Sequence, residues 1–220
     1  MSEASGRVSL YLADIRPLYD PVLAGKVYER LDDVRRKKAD LCRKPEARAA
    51  SLAVGFLARY SLEDAGYADF RILYEPGGRP MVETDGPPVF LSLSHSGDYA
   101  VCAVSQRPVG VDLQKRQSVK AGVLRLFYSE RQAGLFRKRY GIGESGIMEG
   151  EALDRFLREW TVKESYMKMT GKGMKMGFAD LFVDMEKKTV VFAGKEGGPA
   201  VFREYDAPDG YFLSACTAVN

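Results

Sequence analysis

The sequence predicts an α+β protein built of two halves. Segments with helical periodicity and segments with strand alternation follow one another along its 220 residues, without the strict βαβ rhythm of a parallel sheet. The composition, 45% hydrophobic and 11% aromatic, is typical of a globular protein, and a chain of this length can bury one large core or two compact ones. We therefore expect an N-terminal α+β half over residues 1–105 and a C-terminal α+β half over residues 106–220.

In the N-terminal half, alternating apolar residues predict strands and residues repeating every three to four positions predict helices. Turn residues punctuate the half at Gly77 and Gly78 and again at the run Gly86-Pro87-Pro88. The predicted strands are 8–13, 70–74, 89–93 and 99–104, and the predicted helices are 25–41 and 45–65.

The C-terminal half repeats this mixture of elements. Its predicted strands are 109–114, 181–185, 190–192, 200–205 and 212–217, and its predicted helices are 129–140 and 150–170. The stretch 141–150 is rich in glycine and predicts a mobile surface loop.

Charge, hydropathy and cysteine content exclude several classes of protein. A formal net charge of +3 is too mild for a general nucleic-acid binder, although basic residues cluster at 35–38 and at 172–175. No apolar run approaches the roughly 20 residues of a membrane span, and the N-terminus lacks the pattern of a secretory signal. Three scattered cysteines suit reduced thiols. We expect a cytoplasmic monomer that binds neither nucleic acid nor a membrane.

The stretch "VGVDLQ", residues 109–114, carries the first candidate site. In a strand, the side chains of Asp112 and Gln114 share one face with Gly110, while the valines and the leucine share the other. An edge strand with a solvated polar face would show the same pattern. Glycine, however, weakens a strand unless something approaches its backbone closely, and two oxygen ligands beside it suit a hard cation such as Mg²⁺.

The helix predicted over 150–170 carries a second candidate, Glu164, inside its apolar stripe. That stripe consists of Leu153, Phe156, Leu157, Trp160 and Met167. A carboxylate in such a position is costly unless a cation or hydrogen-bond donors receive it. Glu164 either forms a structural pair with Lys168 at i,i+4 spacing or completes the cation site of Asp112, leaving Lys168 to face a phosphate.

The third candidate is His95, the one histidine of the chain, in the stretch "SHSG". It follows a predicted strand in a turn whose backbone amides and hydroxyls are free to donate hydrogen bonds. This arrangement is typical of an anion cradle. The sequence contains no G-x-S-x-G elbow that would indicate a serine hydrolase.

Together, these stretches resemble a known family. "FLSLSHSG" (90–97), "VGVDLQ" (109–114) and "WTVKESYMK" (160–168) are similar, in order and spacing, to the three motifs of the 4′-phosphopantetheinyl transferases of the surfactin-synthetase-activating type. Further similarity lies in "GGRP" (77–80), "RAASLAVGFLARY" (48–60) and "DGYFLSACT" (209–217). The resemblance covers nearly the whole chain and implies that the two halves are pseudo-symmetric, with the active site between them.

The resemblance implies that 4′-phosphopantetheine passes from coenzyme A, the co-substrate, to a serine of an apo acyl or peptidyl carrier protein, releasing adenosine 3′,5′-bisphosphate. It assigns Mg²⁺ to Asp112, Gln114 and Glu164, and the pyrophosphate to His95 and Lys168. It assigns the nucleotide end to Arg79 and Ser94. The candidates for the 3′-phosphate are Lys37, Lys38, Lys44 and Arg48. Glu164 or a water molecule bound to the ion would deprotonate the acceptor serine.

Two residues depart from the family pattern: Gln114 replaces an acidic residue of the strand motif, and Leu91 replaces the asparagine of the histidine motif. Loss of one charge leaves open a non-catalytic module that binds coenzyme A or a carrier protein, and a magnesium-dependent phosphoesterase is a further alternative. The apolar and basic segments 123–132 and 171–178 are candidates for contact with an acidic carrier protein, although ordinary packing would explain them equally well.

Overall fold

The computed structural model describes residues 7–173, 176–194 and 198–219 of the chain. The N-terminal half comprises β1 (Ser9–Asp14), α1 (Pro21–Glu29), α2 (Asp33–Asp40), α3 (Pro45–Asp64), β2 (Phe70–Tyr74), β3 (Pro80–Thr84), β4 (Phe90–Ser96) and β5 (Tyr99–Ser105). The C-terminal half comprises β6 (Val109–Lys115), β7 (Val119–Lys120), α4 (Leu124–Phe127), α5 (Glu130–Tyr140), β8 (Ile147–Met148), α6 (Gly150–Thr170), β9 (Leu181–Asp184), β10 (Thr189–Phe192), β11 (Ala200–Tyr205) and β12 (Tyr211–Ala218). The predicted α+β class is confirmed.

The two halves share one topology. In the first, β5 lies between β1 and β4 in an antiparallel sheet; in the second, β12 lies between β6 and β11, and β10 and β9 extend the sheet. Each half thus has a first strand, a long helix (α3 or α6) and a closing hairpin whose last strand lies between the first strand and the other hairpin strand. This repetition agrees with the pseudo-symmetry that the family resemblance implies.

A pair of buried side chains repeats with the topology. The Ser61 hydroxyl on α3 lies 3.1 Å from the Cys102 sulfur on β5, and the Ser165 hydroxyl on α6 donates to the Cys216 sulfur on β12 at 3.0 Å. All four residues are fully buried. Burial raises the pKa of each thiol to about 12, so both cysteines remain protonated.

Side-chain alternation places a core on each face of both sheets. The even-numbered residues 100, 102 and 104 of β5 face α3, whereas Val101 and Ala103 face the second sheet. There they meet Val109, Val111 and Leu113 of β6. The molecule is therefore layered as helix, sheet, sheet and helix, and neither half has a complete core without the other.

The observed elements differ from the predicted ones in several places. The predicted helix 25–41 is two helices, because Asp32 leaves the helical conformation and its carboxylate accepts from the amide of Arg35 as an N-cap. The predicted loop 141–150 contains β8, whose Met148 is fully buried. The strand β3 was not predicted; it pairs with β2 across the predicted turn at Gly77 and Gly78.

In the described part of the chain, no helix combines the length and the apolar character that crossing a membrane requires.

Candidate functional site

The site begins where β6 meets α6. A Cβ atom added to Gly110 would lie 1.8 Å from the carbonyl oxygen of Ser165 and 2.4 Å from the amide nitrogen of Met169, both in the helix backbone. The close approach predicted from this glycine therefore exists, and the approaching group is α6. The β6 face that carries Asp112 is turned toward this helix and buried, which rules out the solvated edge strand.

Asp112 is 2% exposed and accepts hydrogen bonds at both carboxylate oxygens. The Ser94 hydroxyl and the Lys168 ammonium donate to Oδ1 at 2.8 and 2.6 Å, and the Gln114 amide donates to Oδ2 at 3.1 Å. Lys168 therefore pairs with Asp112, 56 residues away, and not with Glu164 one turn before it. The structure corrects the i,i+4 pair considered from the sequence.

Ser94 belongs to a row of serines on one face of β4. The hydroxyls of Ser92, Ser94 and Ser96 accept from the backbone amides of Val111, Leu113 and Lys115 on β6, at 3.0, 3.3 and 2.9 Å. We call this row the serine ladder; it joins strands of two different sheets through side chains.

The ladder changes what is expected of Ser94. Its hydroxyl donates to Asp112 and accepts from Leu113 and from Lys168 at 2.9 Å. A serine hydroxyl has one proton and two lone pairs, and all three are in use. The predicted contact between this hydroxyl and the nucleotide would therefore require breaking an internal bond.

Glu164 is half-buried on α6 beside the Asp112–Lys168 pair. Burial raises the pKa of its carboxyl group, the negative charge of Asp112 raises it further, and the positive charge of Lys168 opposes both. No hydrogen-bond or ion-pair partner of this carboxylate is found among the described residues. A half-buried carboxylate without a partner is the position at which a cation would be received.

A pH-dependent stability difference follows for Glu164→Gln. Because the folded state raises the pKa of Glu164, ionisation of this group opposes folding, and the penalty is present above the folded pKa. We expect the variant without ligands to unfold at a higher temperature than wild type at pH 7.5. The gain should shrink as the pH falls through the folded pKa and vanish below the ordinary value of 4.5.

Thermal unfolding at several pH values checks this expectation. Glu151→Gln, at an exposed position in the first turn of the same helix, is the matched control and should show no comparable gain. A gain that persists unchanged at pH 4 would contradict the assigned cause.

The adjacent Lys163 points away from the site. It is 1% exposed, its ammonium donates to the carbonyl oxygens of Phe127 and Phe178 at 2.9 and 2.8 Å, and it lies 4.1 Å from the centre of the Phe127 ring. Burial lowers its pKa to about 8. Lys163 therefore anchors α6 to its neighbours, while Glu164 and Lys168 face the site.

An open cavity of about 1550 Å³ lies between the halves, in front of Lys168. Residues of β4, of the β2–β3 turn and of the C-terminal end of α6 line it, together with Arg35 of α2. The lining includes Gly78, Arg79, Ser94, His95 and Lys168. The walls are mostly apolar, with cationic groups at several points, as expected for a site that takes an anionic organic molecule.

His95 lies on this cavity, but as the sixth residue of strand β4 and not in a turn. It is paired with Ala100, and the turn follows at Gly97 and Asp98. Desolvation lowers the pKa of its imidazole, and the charges of Lys168 and Arg35 lower it further. The ring is therefore neutral at pH 7 in the free protein and can donate one N–H to an anion.

Arg79, predicted to bind the nucleotide end, lines the same cavity. Its guanidinium donates to the Met169 carbonyl oxygen at 3.1 Å, which satisfies one of the last carbonyls of α6. Gly171 ends that helix at φ +72°, and a Cβ there would overlap the Arg79 guanidinium. Among the residues that the structure describes, no other group accepts a hydrogen bond from Arg79, which leaves its remaining N–H groups to the cavity.

The predicted lysines and arginine for the 3′-phosphate are not gathered in the cavity. Lys37 and Lys44 are exposed and do not line it. Arg48 pairs with Asp40 at 3.0 Å, outside the lining. Lys38 comes closest, because a Cβ added to Gly78 on the cavity wall would lie 3.7 Å from its ammonium.

The residue that the sequence analysis missed is Arg35. It is 8% exposed, lines the cavity, and its Nε donates to the Tyr74 hydroxyl at 3.0 Å. It belongs to the basic cluster 35–38 and shares a helix face with Lys38 at i,i+3 spacing, so the 3.6-residue period could have found it.

The residues present are suited to a divalent cation. The Asp112 carboxylate lies close enough to Glu164 to raise the pKa of that carboxyl group, and the Gln114 amide donates to Asp112. Oxygen donors of this kind are those that Mg²⁺ takes, and they leave positions for water or substrate oxygens. Among the described residues, no group of three or more histidine, cysteine, aspartate or glutamate side chains forms a metal site by itself.

Comparison with known proteins agrees with the motifs. The model of the 4′-phosphopantetheinyl transferase superfamily matches residues 108–216. The 4′-phosphopantetheinyl transferase gsp of Aneurinibacillus migulanus is 25% identical over 164 residues, covering 73% of this chain and 65% of that protein. A 4′-phosphopantetheinyl transferase of Bacillus subtilis is 26% identical over 209 residues, covering 90% of this chain and 88% of that protein.

Among solved structures, the holo-[acyl-carrier-protein] synthase of Helicobacter pylori in complex with coenzyme A is 18% identical. The match covers 45% of this chain and 98% of the synthase chain, with a TM-score of 0.33.

Proposed function

Because residues 108–216 belong to the 4′-phosphopantetheinyl transferase superfamily, we propose that this protein transfers 4′-phosphopantetheine from coenzyme A to a serine of an apo carrier protein. The observation that supports it most is that His95 and Lys168 line one cavity, while Asp112 contacts Lys168 and Glu164 lies within electrostatic reach of both. The two relatives described above are named as transferases of this kind.

In the proposed reaction, the serine oxygen attacks the β-phosphorus of the coenzyme A pyrophosphate. A phosphorus–oxygen bond to the serine forms, and the bond to the bridging oxygen breaks, so that adenosine 3′,5′-bisphosphate leaves. His95 donates an N–H to a pyrophosphate oxygen, and Lys168 neutralises charge on the transferred group. Arg79 and Arg35 hold the nucleotide end.

Asp112 and Glu164, with Gln114 beside them, would hold Mg²⁺. When bound, the ion supplies positive charge against the pyrophosphate oxygens as the leaving group departs. Glu164 is also placed to take the proton of the acceptor serine, since burial and Asp112 raise the pKa of its carboxyl group toward the working pH.

The carrier protein is proposed to dock on the segment 123–132. Leu126 is 74% exposed there, and Leu135 on the following helix is 58% exposed. Arg131 of the same segment is exposed, whereas Arg125 is paired with Glu144 at 2.8 Å. An apolar surface flanked by positive charge suits an acidic helix of a carrier protein. The other candidate segment, 171–178, includes residues 174 and 175, which lie outside the described residues.

We also propose a cytoplasmic monomer. The three cysteines are all free thiols, which suits a reducing compartment, and a single chain supplies both walls of the cavity.

Incubation of the full chain with coenzyme A, MgCl₂ and an apo carrier protein tests the proposal. Intact mass spectrometry should show the carrier gaining one phosphopantetheine group, and a carrier whose acceptor serine is alanine should stay unmodified. If coenzyme A binds and several apo carriers stay unmodified, the protein is the binding module instead. The hydrogen bond from Gln114 to Asp112, which needs no metal, favours that second candidate.

His95→Ala provides a test of the pyrophosphate contact. The side chain is exposed and makes little packing, so we expect wild-type unfolding behaviour. Loss of one hydrogen bond to a charged group is worth about 1.5–3 kcal/mol, so kcat/KM for coenzyme A should fall about 10- to 150-fold. Steady-state kinetics and thermal unfolding check this. If the variant is largely unfolded but its remaining folded protein has the wild-type kcat/KM, His95 has a structural role.

A further inference from the structure

The ammonium of Lys168 lies where a cation bound to Asp112 would lie. It is 2.6 Å from Oδ1 of a carboxylate that is 3% exposed. The remaining donors to Asp112 are also protein groups, the Ser94 hydroxyl and the Gln114 amide. A divalent cation in contact with Oδ1 would be next to the ammonium, and like charges repel.

We infer that Lys168 serves as a built-in counter-ion of Asp112, and that the pyrophosphate of coenzyme A must draw it away before a divalent cation binds tightly. This inference rests on the proposed function. The Lys168 side chain is 29% exposed and lines the cavity, so its ammonium can turn from Asp112 toward an anion there. The cation and coenzyme A therefore bind with positive coupling: each increases the binding affinity of the protein for the other by the same factor.

Ser94 acts in this exchange as a positioning residue. When Lys168 leaves, the Ser94 hydroxyl still donates to Oδ1 of Asp112, and the amide of Leu113 still fixes the hydroxyl. The carboxylate thus keeps its orientation in both states.

The neutral side chain of Gln114 contributes to the coupling. With glutamine at this position, Asp112 and Lys168 balance each other in charge, and Glu164 is the one further carboxylate of the predicted cation set. A glutamate at 114 would add a negative charge that Lys168 alone cannot offset. Gln114→Glu is therefore expected to admit the cation without coenzyme A.

Mn²⁺ binding, followed by electron paramagnetic resonance, tests the inference without an activity assay. Titrations use the full chain with and without coenzyme A, and a protein-free titration corrects for Mn²⁺ bound to coenzyme A itself. We expect coenzyme A to tighten Mn²⁺ binding to wild type roughly tenfold, within the usual range of coupling between sites. Without coenzyme A, Lys168→Met and Gln114→Glu should each bind Mn²⁺ about tenfold more tightly than wild type.

The measurement without coenzyme A is decisive. If the pyrophosphate merely bridges to the metal, coupling in wild type would remain, but removing Lys168 would not tighten Mn²⁺ binding to the free protein. Lys188→Met is the matched control. It removes a lysine that is paired with Glu204 at 2.7 Å and is not part of the cavity lining, so it should leave Mn²⁺ affinity unchanged.

Circular dichroism shows whether Lys168→Met folds; if it does not, Lys168→Gln, which also removes the positive charge, takes its place in the titrations. Equal or weaker Mn²⁺ binding by the folded site variants overturns the inference, and transfer by wild type in the carrier assay would then still stand. If neither wild type nor any variant binds Mn²⁺ in the presence of coenzyme A, both the inference and the metal assignment are overturned.

Discussion

Gly110→Ala is expected to leave little or no folded protein. The added methyl group would overlap the backbone of α6 at Ser165 and Met169, and backbone atoms in the middle of a helix cannot turn aside as the end of a side chain can. Overpacking a core costs about 1–3 kcal/mol where side chains can adjust, and a clash with rigid backbone should exceed this range. Native domains have only about 5–15 kcal/mol of stability in total.

Urea unfolding followed by circular dichroism measures the effect. Gly122→Ala is the matched control, because a Cβ at that position meets nothing within 4 Å, and it should be neutral within about 0.5 kcal/mol. A Gly110→Ala protein with the wild-type midpoint would show that β6 and α6 lie farther apart than described.

Asp112→Ala and Glu164→Ala are each expected to lower the transfer rate by at least about 1000-fold, since the charge stabilisation that a metal ion supplies is worth several kcal/mol. The double variant should be no slower than the slower single variant, because residues that serve one ion act as a unit. The rates are measured by mass spectrometry of the carrier protein at saturating coenzyme A and MgCl₂.

Glu151→Ala removes an exposed carboxylate from the same helix and should transfer at the wild-type rate. Near-normal transfer by either site variant, or additive losses in the double variant, would contradict a shared ion. Because Asp112→Ala also leaves Lys168 without its partner, thermal unfolding of each variant must accompany the kinetics.

The elements around the site were predictable because their signals are local. The alternation in 109–114 and the apolar stripe of 150–170 place β6 and α6 correctly, and Gly110 indicated the close approach between backbones. The break before Asp32 was missed because the apolar periodicity continues across it, while the N-cap is set by a single side chain.

The contacts within the site were less predictable because they join distant parts of the chain. Sequence spacing offered Glu164 as the partner of Lys168, whereas the fold brings Asp112 to it from another strand. Likewise, Ser94 was expected to meet the nucleotide, because nothing local shows that a neighbouring strand would occupy its hydroxyl. Arg35 becomes a cavity residue only through the packing of α2 beside the β2–β3 turn.

The serine ladder has a consequence for the folding of the chain and for the stability of its two halves as separate fragments. β6 is the edge strand of its sheet, and its outward-facing backbone amides donate to the serine hydroxyls of β4 instead of to another strand. The apolar faces of both sheets form one shared core. We therefore expect residues 105 and 106 to mark the boundary of a repeat and not a junction between two units that fold on their own. Separate fragments would each expose an apolar sheet face, so the intact chain should melt in a single calorimetric transition whose measured enthalpy equals the van't Hoff value.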